Sequence, residues 1–194
     1  MTNMIGKQQP KGISVQSHNS VLANIAEYAV LFGLGILAIL LHARLRTPLN
    51  IPGHHGLEFM AILMAGRVAS NIKWASSISS LGIGFILLFP LFGFMDPFMG
   101  FNFMLPGIFI DIYYNLTRQF KWQLLVLSLI AGLAYFTIPL SRLFIHAFTG
   151  YPYNSFIKFG YFTPVMNYFF FGLTGGFFGA GITLAIKNKI RKFK

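Results

Sequence analysis

The chain contains 194 residues, of which 55% are hydrophobic and only 10% are charged, and its mean hydropathy is +0.65. Four acidic residues and fifteen Lys and Arg leave too little polar surface for a water-soluble domain, and the apolar content excludes a disordered chain. There is no Cys, which excludes disulfides, thiolate metal sites and cysteine nucleophiles. The composition therefore predicts an all-α integral membrane protein.

Six apolar segments follow one another along the chain, and each is a candidate membrane-spanning helix. The first segment, at roughly 20 residues, is long enough to cross a bilayer. Prolines and glycines break the chain after it, and Asp96 with Pro97 marks a tight turn farther on. The predicted spans are residues 21–43, 57–72, 76–95, 98–116, 122–148 and 161–186. The sequence thus divides into a polar tail (1–20), a six-helix membrane domain (21–186) and a basic tail (187–194).

The positions of Lys and Arg predict the orientation in the membrane. Five of the last eight residues are basic, and cytoplasmic flanks of membrane helices retain such residues. An even number of spans then places both termini in the cytoplasm, and the two long loops, residues 44–56 and 149–160, face outside. We expect the cytoplasmic membrane as the location. We expect no nucleic-acid partner despite the net charge of +11, because no soluble basic domain is present.

All four acidic residues lie in or beside apolar segments, where an ionised group is costly unless it has a partner. Glu58 and Asp111 are the better candidates for a binding site. Glu27 is interpreted as an interfacial or coupling residue, and Asp96 as a turn residue that caps the next helix. The alternative is that each carboxylate pairs with a nearby arginine.

Two arginines also lie inside predicted spans. Arg67 is interpreted as structural, since a short span lets its side chain reach the inner surface. Arg142 either attracts an anionic group or anchors the helix at the lipid headgroups. Three tyrosines near the second long loop are interpreted as an aromatic belt at the outer interface: Tyr151, Tyr153 and Tyr161.

The densest polar cluster is His54-His55-Gly-Leu-Glu58, after the first span. A helix that began at His54 would place His54 and Glu58 on one face. Metal binding, hydrogen bonding to an organic ligand and a merely solvated loop are all open, and the organic ligand is favoured because adjacent histidines are a weak metal signal. Asn50 and Asn167 are further candidate polar contacts, and we expect no metal site.

Small residues recur at four-residue spacing in the first and last spans. Such spacing lets a second helix approach closely, either within this chain or in a separate membrane subunit. The sequence leaves both readings open. The pairs are Ala29 with Gly33, Gly172 with Gly176, and Gly175 with Gly179.

Together these features resemble the substrate-binding S component of an energy-coupling factor (ECF) transporter. The similarity lies in TPLNIPGHHGLEFMAILMAG after the first span, whose layout is similar to vitamin-binding members such as the biotin type, in GFNFMLPGIFID and in FGLTGGFFGAGI. The resemblance implies a subunit that captures a vitamin or cofactor precursor from outside, while a transmembrane coupling subunit and two ATPase subunits drive its release. It also implies that residues 47–56 gate the pocket and that Ala29 and Gly33 dock the coupling subunit.

We therefore expect a solute-binding membrane subunit that is not an enzyme and holds no cofactor. Its partners are the solute, the transporter subunits and membrane lipid. One alternative is a membrane enzyme acting on a lipid, with His54 or His55 and Glu58 as an acid–base pair, and another is a non-catalytic assembly subunit. The expected solute contacts are Asn50, His54, His55 and Glu58, with Asp111 and Asn167 in second place.

Overall fold

The computed structural model describes residues 15–44, 51–89, 96–117 and 123–193, with side chains described from residue 21 onward. These residues form seven helices and no strand, which confirms the all-helical fold class. The helices are α1 (Val15–Arg44), α2 (Gly56–Ala69), α3 (Ala75–Leu87), α4 (Met99–Thr117), α5 (Gln123–Thr149), α6 (Asn154–Phe159) and α7 (Phe162–Lys192).

Three of these helices are long and apolar enough to cross a membrane: α1 over Val21–Arg44, α5 over Gln123–Thr149 and α7 over Phe162–Lys192. Large apolar side chains point away from the core along most of the bundle. Leu88, Leu116, Phe148 and Phe162 are each between 71% and 86% exposed. An apolar surface of this extent is typical of a protein that lies in a membrane.

The first two helices run in opposite directions. Near the end of α1, the ring of His42 lies 5.0 Å from the ring of His55, which immediately precedes α2. At the opposite end of the same two helices, the hydroxyl of Ser70 donates a 2.6 Å hydrogen bond to the carboxylate of Glu27. We call the end of the bundle that holds His55 the loop end, and the end that holds Ser70 the tail end.

The remaining long helices continue this alternation. Asn102 in the first turn of α4 and Ser141 in the second half of α5 meet at the loop end, where the Ser141 hydroxyl donates a 2.7 Å hydrogen bond to Asn102 Oδ1. At the tail end, the ammonium group of Lys187 in α7 donates to the carbonyl of Val68 in α2 over 2.6 Å. The start of α1 and the end of α7 therefore lie at the same end of the bundle.

Helix α2 occupies the centre of the bundle and contacts α1, α3, α4, α5 and α7. On α7, Gly175 and Gly179 lie against the α2 backbone at Leu57 and Ala61, with no room for a Cβ atom. Gly172 and Gly176 lie against α5 in the same way, beside the residue Ala131. The small residues of α7 thus serve packing within this chain.

The small residues of α1 differ from those of α7. Ala29 is exposed, and a Cβ atom added at Gly33 would meet nothing within 4 Å. On the other face of α1, Gly35 packs against the backbone of Ser79 in α3. Within the described part of the chain, the face of α1 that holds Ala29 and Gly33 is therefore left uncovered.

A buried ion pair joins three helices at the tail end. Arg67, in the last turn of α2, donates a 2.9 Å hydrogen bond to the Asp111 carboxylate in α4, and the two side chains are only 3% and 0% exposed. Asp111 also accepts from the backbone N–H groups of Ser76 and Ser77 and from the Ser77 hydroxyl. Arg67 also donates to the carbonyl of Lys73, so the pair fixes the connection between α2 and α3 as well.

Several boundaries differ from those that the sequence predicts. The second long loop contains the short helix α6, which the buried ring of Phe156 anchors to the bundle. Helix α1 begins at Val15, inside the predicted polar tail, and α7 continues to Lys192, inside the predicted basic tail. Basic residues in the last turn of α7 favour this extension, because they interact with the negative end of the helix dipole.

Replacing Asp111 with Asn is expected to destabilise the fold by about 3–5 kcal/mol, because Arg67 would remain buried without a counter-charge. Thermal unfolding of the detergent-solubilised protein measures the loss. Glu27→Gln is the matched control, since the Glu27 carboxylate contacts a neutral hydroxyl rather than a buried cation. Equal unfolding temperatures for the two variants would contradict the structural role of the ion pair.

Candidate ligand-binding site at the loop end

The chain makes a tight turn immediately before α2. The backbone N–H of Gly56 donates to the carbonyl of Gly53 over 2.8 Å, and Nδ1 of His54 lies 2.6 Å from the carbonyl oxygen of Ile51. Because α2 begins at Gly56 rather than at His54, Glu58 pairs with His55, with 2.8 Å between Oε1 and Nδ1. The His54 ring instead lies next to the His55 ring, with 3.8 Å between centroids.

Two glycines let this turn lie directly on two tyrosine rings. Gly53 has φ +85°, a conformation that favours glycine, and a Cβ atom there would clash with the ring of Tyr168. A Cβ atom at Gly56 would overlap the fully buried ring of Tyr135. The two tyrosine rings stack on each other, with 4.6 Å between centroids and an angle of 20° between planes.

Aromatic residues continue beneath the turn. Phe59 packs against Tyr135 and Phe103, at centroid distances of 5.9 Å and 5.6 Å. We call Phe59, Phe103, Tyr135 and Tyr168, which are all buried, the aromatic floor. The ring of His42, near the end of α1, lies 4.9 Å from Phe103 and so joins the site from a fifth helix.

The loop end holds most of the buried side-chain polar atoms that lack a hydrogen-bond partner. Among the described residues ten such atoms occur, and seven of them lie here. An unpartnered buried polar atom costs about 1–3 kcal/mol, and native proteins contain few of them. A ligand that supplied partners would recover this cost. The seven are His42 Nδ1, His54 Nε2, Asp96 Oδ2, Asn102 Nδ2, the Tyr135 hydroxyl, Arg142 Nε and the Tyr153 hydroxyl.

Arg142 brings a cation to this end of the bundle. Its guanidinium donates a 3.1 Å hydrogen bond to the Tyr168 hydroxyl, and its central carbon lies 5.4 Å from the Tyr153 ring centre and 5.9 Å from the Phe103 ring centre. No described carboxylate lies within 4 Å of it. Arg142 is therefore held by aromatic faces and one hydroxyl rather than by an acid.

A cavity of about 310 Å³ opens beside Arg142. Burial raises the pKa of the Tyr153 hydroxyl above its ordinary value, so this group remains a neutral hydrogen-bond donor at physiological pH. Asp96 accepts a 2.9 Å hydrogen bond from the N–H of Phe98 through Oδ1, which makes it a turn residue just before α4; this bond does not reach the N–H groups of the first turn of the helix. The cavity is lined by Asp96, Arg142, Tyr151, Pro152, Tyr153, Asn154 and Ser155.

A larger apolar groove of about 900 Å³ lies between α3 and α4. Exposed side chains such as Leu81, Phe85 and Phe101 form its walls, and it meets the polar cavity at Asp96. None of the histidines and neither Glu58 nor Arg142 lines this groove. It offers an apolar surface with one carboxylate, whereas the smaller cavity holds both charges and the hydroxyl donor.

The structure brings three of the predicted site residues together and separates others. His54, His55 and Glu58 form one cluster at the loop end, which lines neither the cavity beside Arg142 nor the apolar groove. Asp111 lies at the tail end, roughly 18 Å away along the axis of α2 at about 1.5 Å per residue, and its oxygens are taken by Arg67, Ser76 and Ser77. Asn167 is partly buried and precedes Tyr168 on α7. Asn50 lies outside the described residues.

Sequence reasoning missed several residues that form the site. His42 and Asn102 are polar residues at the ends of apolar segments, and the cost of a polar group in such a segment is the signal that points to them. Tyr153 and Tyr168 gave no such signal, because tyrosines are common at membrane interfaces. Within the described parts of the chain, no group of three or more His, Asp or Glu residues is arranged to hold a metal ion.

Comparisons of the chain with protein-family models, with curated proteins and with solved structures found no match. The function is therefore inferred from the residues of the loop end and from the arrangement of the helices.

Replacing Gly56 with Ala is expected to destabilise the protein by about 1–3 kcal/mol, because the added methyl group overlaps the buried Tyr135 ring. Thermal unfolding measures the loss, and limited proteolysis between α1 and α2 measures the exposure of the turn. Gly181→Ala is the matched control, since its methyl group meets Leu124 at an ordinary contact distance of 3.7 Å. Unchanged stability and unchanged proteolysis of the Gly56 variant would show that the turn is not seated on the aromatic floor.

Proposed function

We propose that this protein is the membrane-embedded solute-binding subunit of an ECF-type uptake transporter, which captures a vitamin or cofactor precursor from outside the cell. The observation that carries the proposal is the gathering of seven unpartnered buried polar atoms at the loop end of a bundle with an apolar surface. Ligand sites typically combine an apolar pocket with a few oriented polar groups. The turn at residues 51–56 lies on the rings of Tyr135 and Tyr168 and is proposed to gate this site.

In this proposal six helices, α1 to α5 and α7, cross the cytoplasmic membrane, with both termini inside. The basic last turn of α7, with Lys189, Arg191 and Lys192, favours a cytoplasmic tail end under the positive-inside rule. Helix α2 has 14 residues, or roughly 21 Å, and is therefore shorter than a hydrocarbon core of about 30 Å. It crosses the membrane together with its flanking segments, enclosed by five neighbouring helices.

The coupling subunit and two ATPase subunits are the proposed partners. The uncovered face of α1 at Ala29 and Gly33 supports this assignment, because the similar residues of α7 are already used for packing within the chain. Small residues on an exposed helix face let a second membrane helix approach closely. The coupling subunit is therefore proposed to dock on this face of α1.

A lipid-modifying enzyme is the second candidate, and the 2.8 Å contact between His55 and Glu58 is the observation that favours it. Such an enzyme needs its acid–base pair beside the surface on which the lipid lies. The apolar groove that would accept a lipid chain is formed by α3 and α4 and is not lined by either residue. Neither residue lines the cavity beside Arg142 either, so the support for the solute-binding function comes from the unpartnered polar atoms at the loop end.

The proposal assigns a polar contact with the solute to each of His54 and His55, so replacing both with Ala is expected to weaken solute binding about tenfold or more. Native mass spectrometry of the gently purified protein measures the fraction that retains a co-purified small molecule. Lys158→Ala, in the exposed part of α6, is the control variant. Equal occupancy of the histidine variant and the wild type, with both folded, would remove the turn from the binding site.

Replacing both Ala29 and Gly33 with Leu is expected to abolish co-purification of a coupling subunit and an ATPase pair with the tagged protein. The larger side chains prevent close helix approach, while the uncovered position leaves the stability of this chain unchanged. Ala147→Leu, an exposed small-to-large change on α5, is the control. Failure of the wild-type protein to co-purify an ATPase pair from its native membrane would contradict the proposed function itself.

A further inference from the structure

Two opposite charges line the same cavity at the loop end without being paired to each other. Asp96 and Arg142 both border the space of about 310 Å³. The ion pairs formed by the described residues are His55 with Glu58 and Arg67 with Asp111, so no pair within 4 Å joins Asp96 to Arg142. The cavity therefore presents one cation and one anion that face a common space.

Each of the two charged groups has capacity left for a further hydrogen bond. Asp96 uses Oδ1 to accept from the N–H of Phe98, and its Oδ2 is buried without a partner. Arg142 uses one terminal nitrogen on the Tyr168 hydroxyl, and its Nε is buried without a partner. The unfilled positions are an acceptor on the anion and a donor on the cation.

At the tail end, by contrast, an arginine and an aspartate contact each other directly. There the guanidinium of Arg67 binds the Asp111 carboxylate directly over 2.9 Å, and two serines fill the remaining acceptor positions. Arg67 Nε is also buried without a partner, so the two ends differ in the direct contact between the charges and not in this atom. Two half-buried charges that face a cavity without contacting each other leave room for a partner from outside the chain, which would lower the cost of an uncompensated charge.

We propose that this cavity binds a small molecule that carries a carboxylate and, at a separate position, an N–H donor. The carboxylate binds the guanidinium of Arg142, since planar guanidinium groups match carboxylates in charge and geometry. The N–H group donates to Oδ2 of Asp96. This inference rests on the proposed solute-binding function and names the chemical class of the solute.

Other features of the cavity restrict the ligand further. Its volume of about 310 Å³ is at the lower limit for ligand pockets, which favours a small molecule over a peptide. The rings of Tyr151 and Tyr153, whose centroids lie 5.0 Å apart, form one wall. An aromatic ring or other flat group in the ligand would pack against that wall.

The inference is tested with defined probes on the purified full-length protein in detergent. The first probes are 3- and 4-aminobenzoate, which carry a carboxylate and an amine at two different separations. The corresponding aminobenzamides lack the negative charge, and benzoate lacks the amine. Thermal unfolding at constant ionic strength reports binding, because a ligand that binds only the folded state raises the unfolding temperature. We expect at least one aminobenzoate to bind tenfold or more tightly than its amide and than benzoate.

Two substitutions assign the groups. Arg142→Gln is expected to remove the difference in affinity between aminobenzoate and aminobenzamide. Asp96→Asn is expected to remove the difference in affinity between aminobenzoate and benzoate. Asn keeps a side-chain oxygen that can accept from the N–H of Phe98, so the turn before α4 is preserved. Lys158→Gln, which removes an exposed cation from α6, is the matched control. It should leave the differences in affinity among the probes unchanged.

Equal stabilisation of the wild-type protein by acid, amide and benzoate, or stabilisation by none of them, overturns the inference. This comparison needs no variant, so it stands even where a substitution prevents folding. If the Arg142→Gln variant still binds aminobenzoate more tightly than aminobenzamide by the same factor as the wild type, the role of Arg142 is overturned. If the probes are not distinguished but an ATPase pair still co-purifies, only the ligand class is refuted. If the probes are distinguished but no ATPase pair co-purifies, only the transporter assignment is refuted.

Discussion

The buried contact between Arg67 and Asp111 is the interaction on which the arrangement of the central helices depends. It joins the end of α2 to α4, and the serines that bind the same carboxylate bring the start of α3 to the same point. Since α2 is a short rigid helix, fixing its tail end also fixes where its first turn lies. The position of His55, Glu58 and the turn before them therefore follows from an ion pair at the opposite end of the bundle.

The two ends of the molecule differ in how far their polar groups are paired within the chain. At the tail end, carboxylates and cations have partners within the chain, as Glu27 and Lys187 also illustrate. At the loop end, seven of the ten buried polar atoms that lack a partner among the described residues are gathered around aromatic rings. This difference is the basis for proposing the loop end as the binding end, and for the proposed class of solute.

Composition and hydropathy were sufficient to predict the helical class and the approximate position of each long helix, because apolar segments with few charges admit no other structure in lipid. Pairing between distant residues was not predictable. Asp111 was a candidate solute contact because its sequence position gives no sign that Arg67 lies beside it. The site was found only in part, since His54, His55 and Glu58 are adjacent in sequence, whereas His42, Asn102 and Tyr168 reach the site from different helices.

The contact between Gly53 and the ring of Tyr168 connects the turn at residues 51–56 to the cavity beside Arg142. The hydroxyl of that same tyrosine receives the hydrogen bond of Arg142, so one side chain touches the covering segment on one side and the cation on the other. The ring lies so close to the backbone of Gly53 that a single added Cβ atom would not fit between them. In the proposed function, a solute bound at the guanidinium and the turn at residues 51–56 would therefore both act on a single phenol ring.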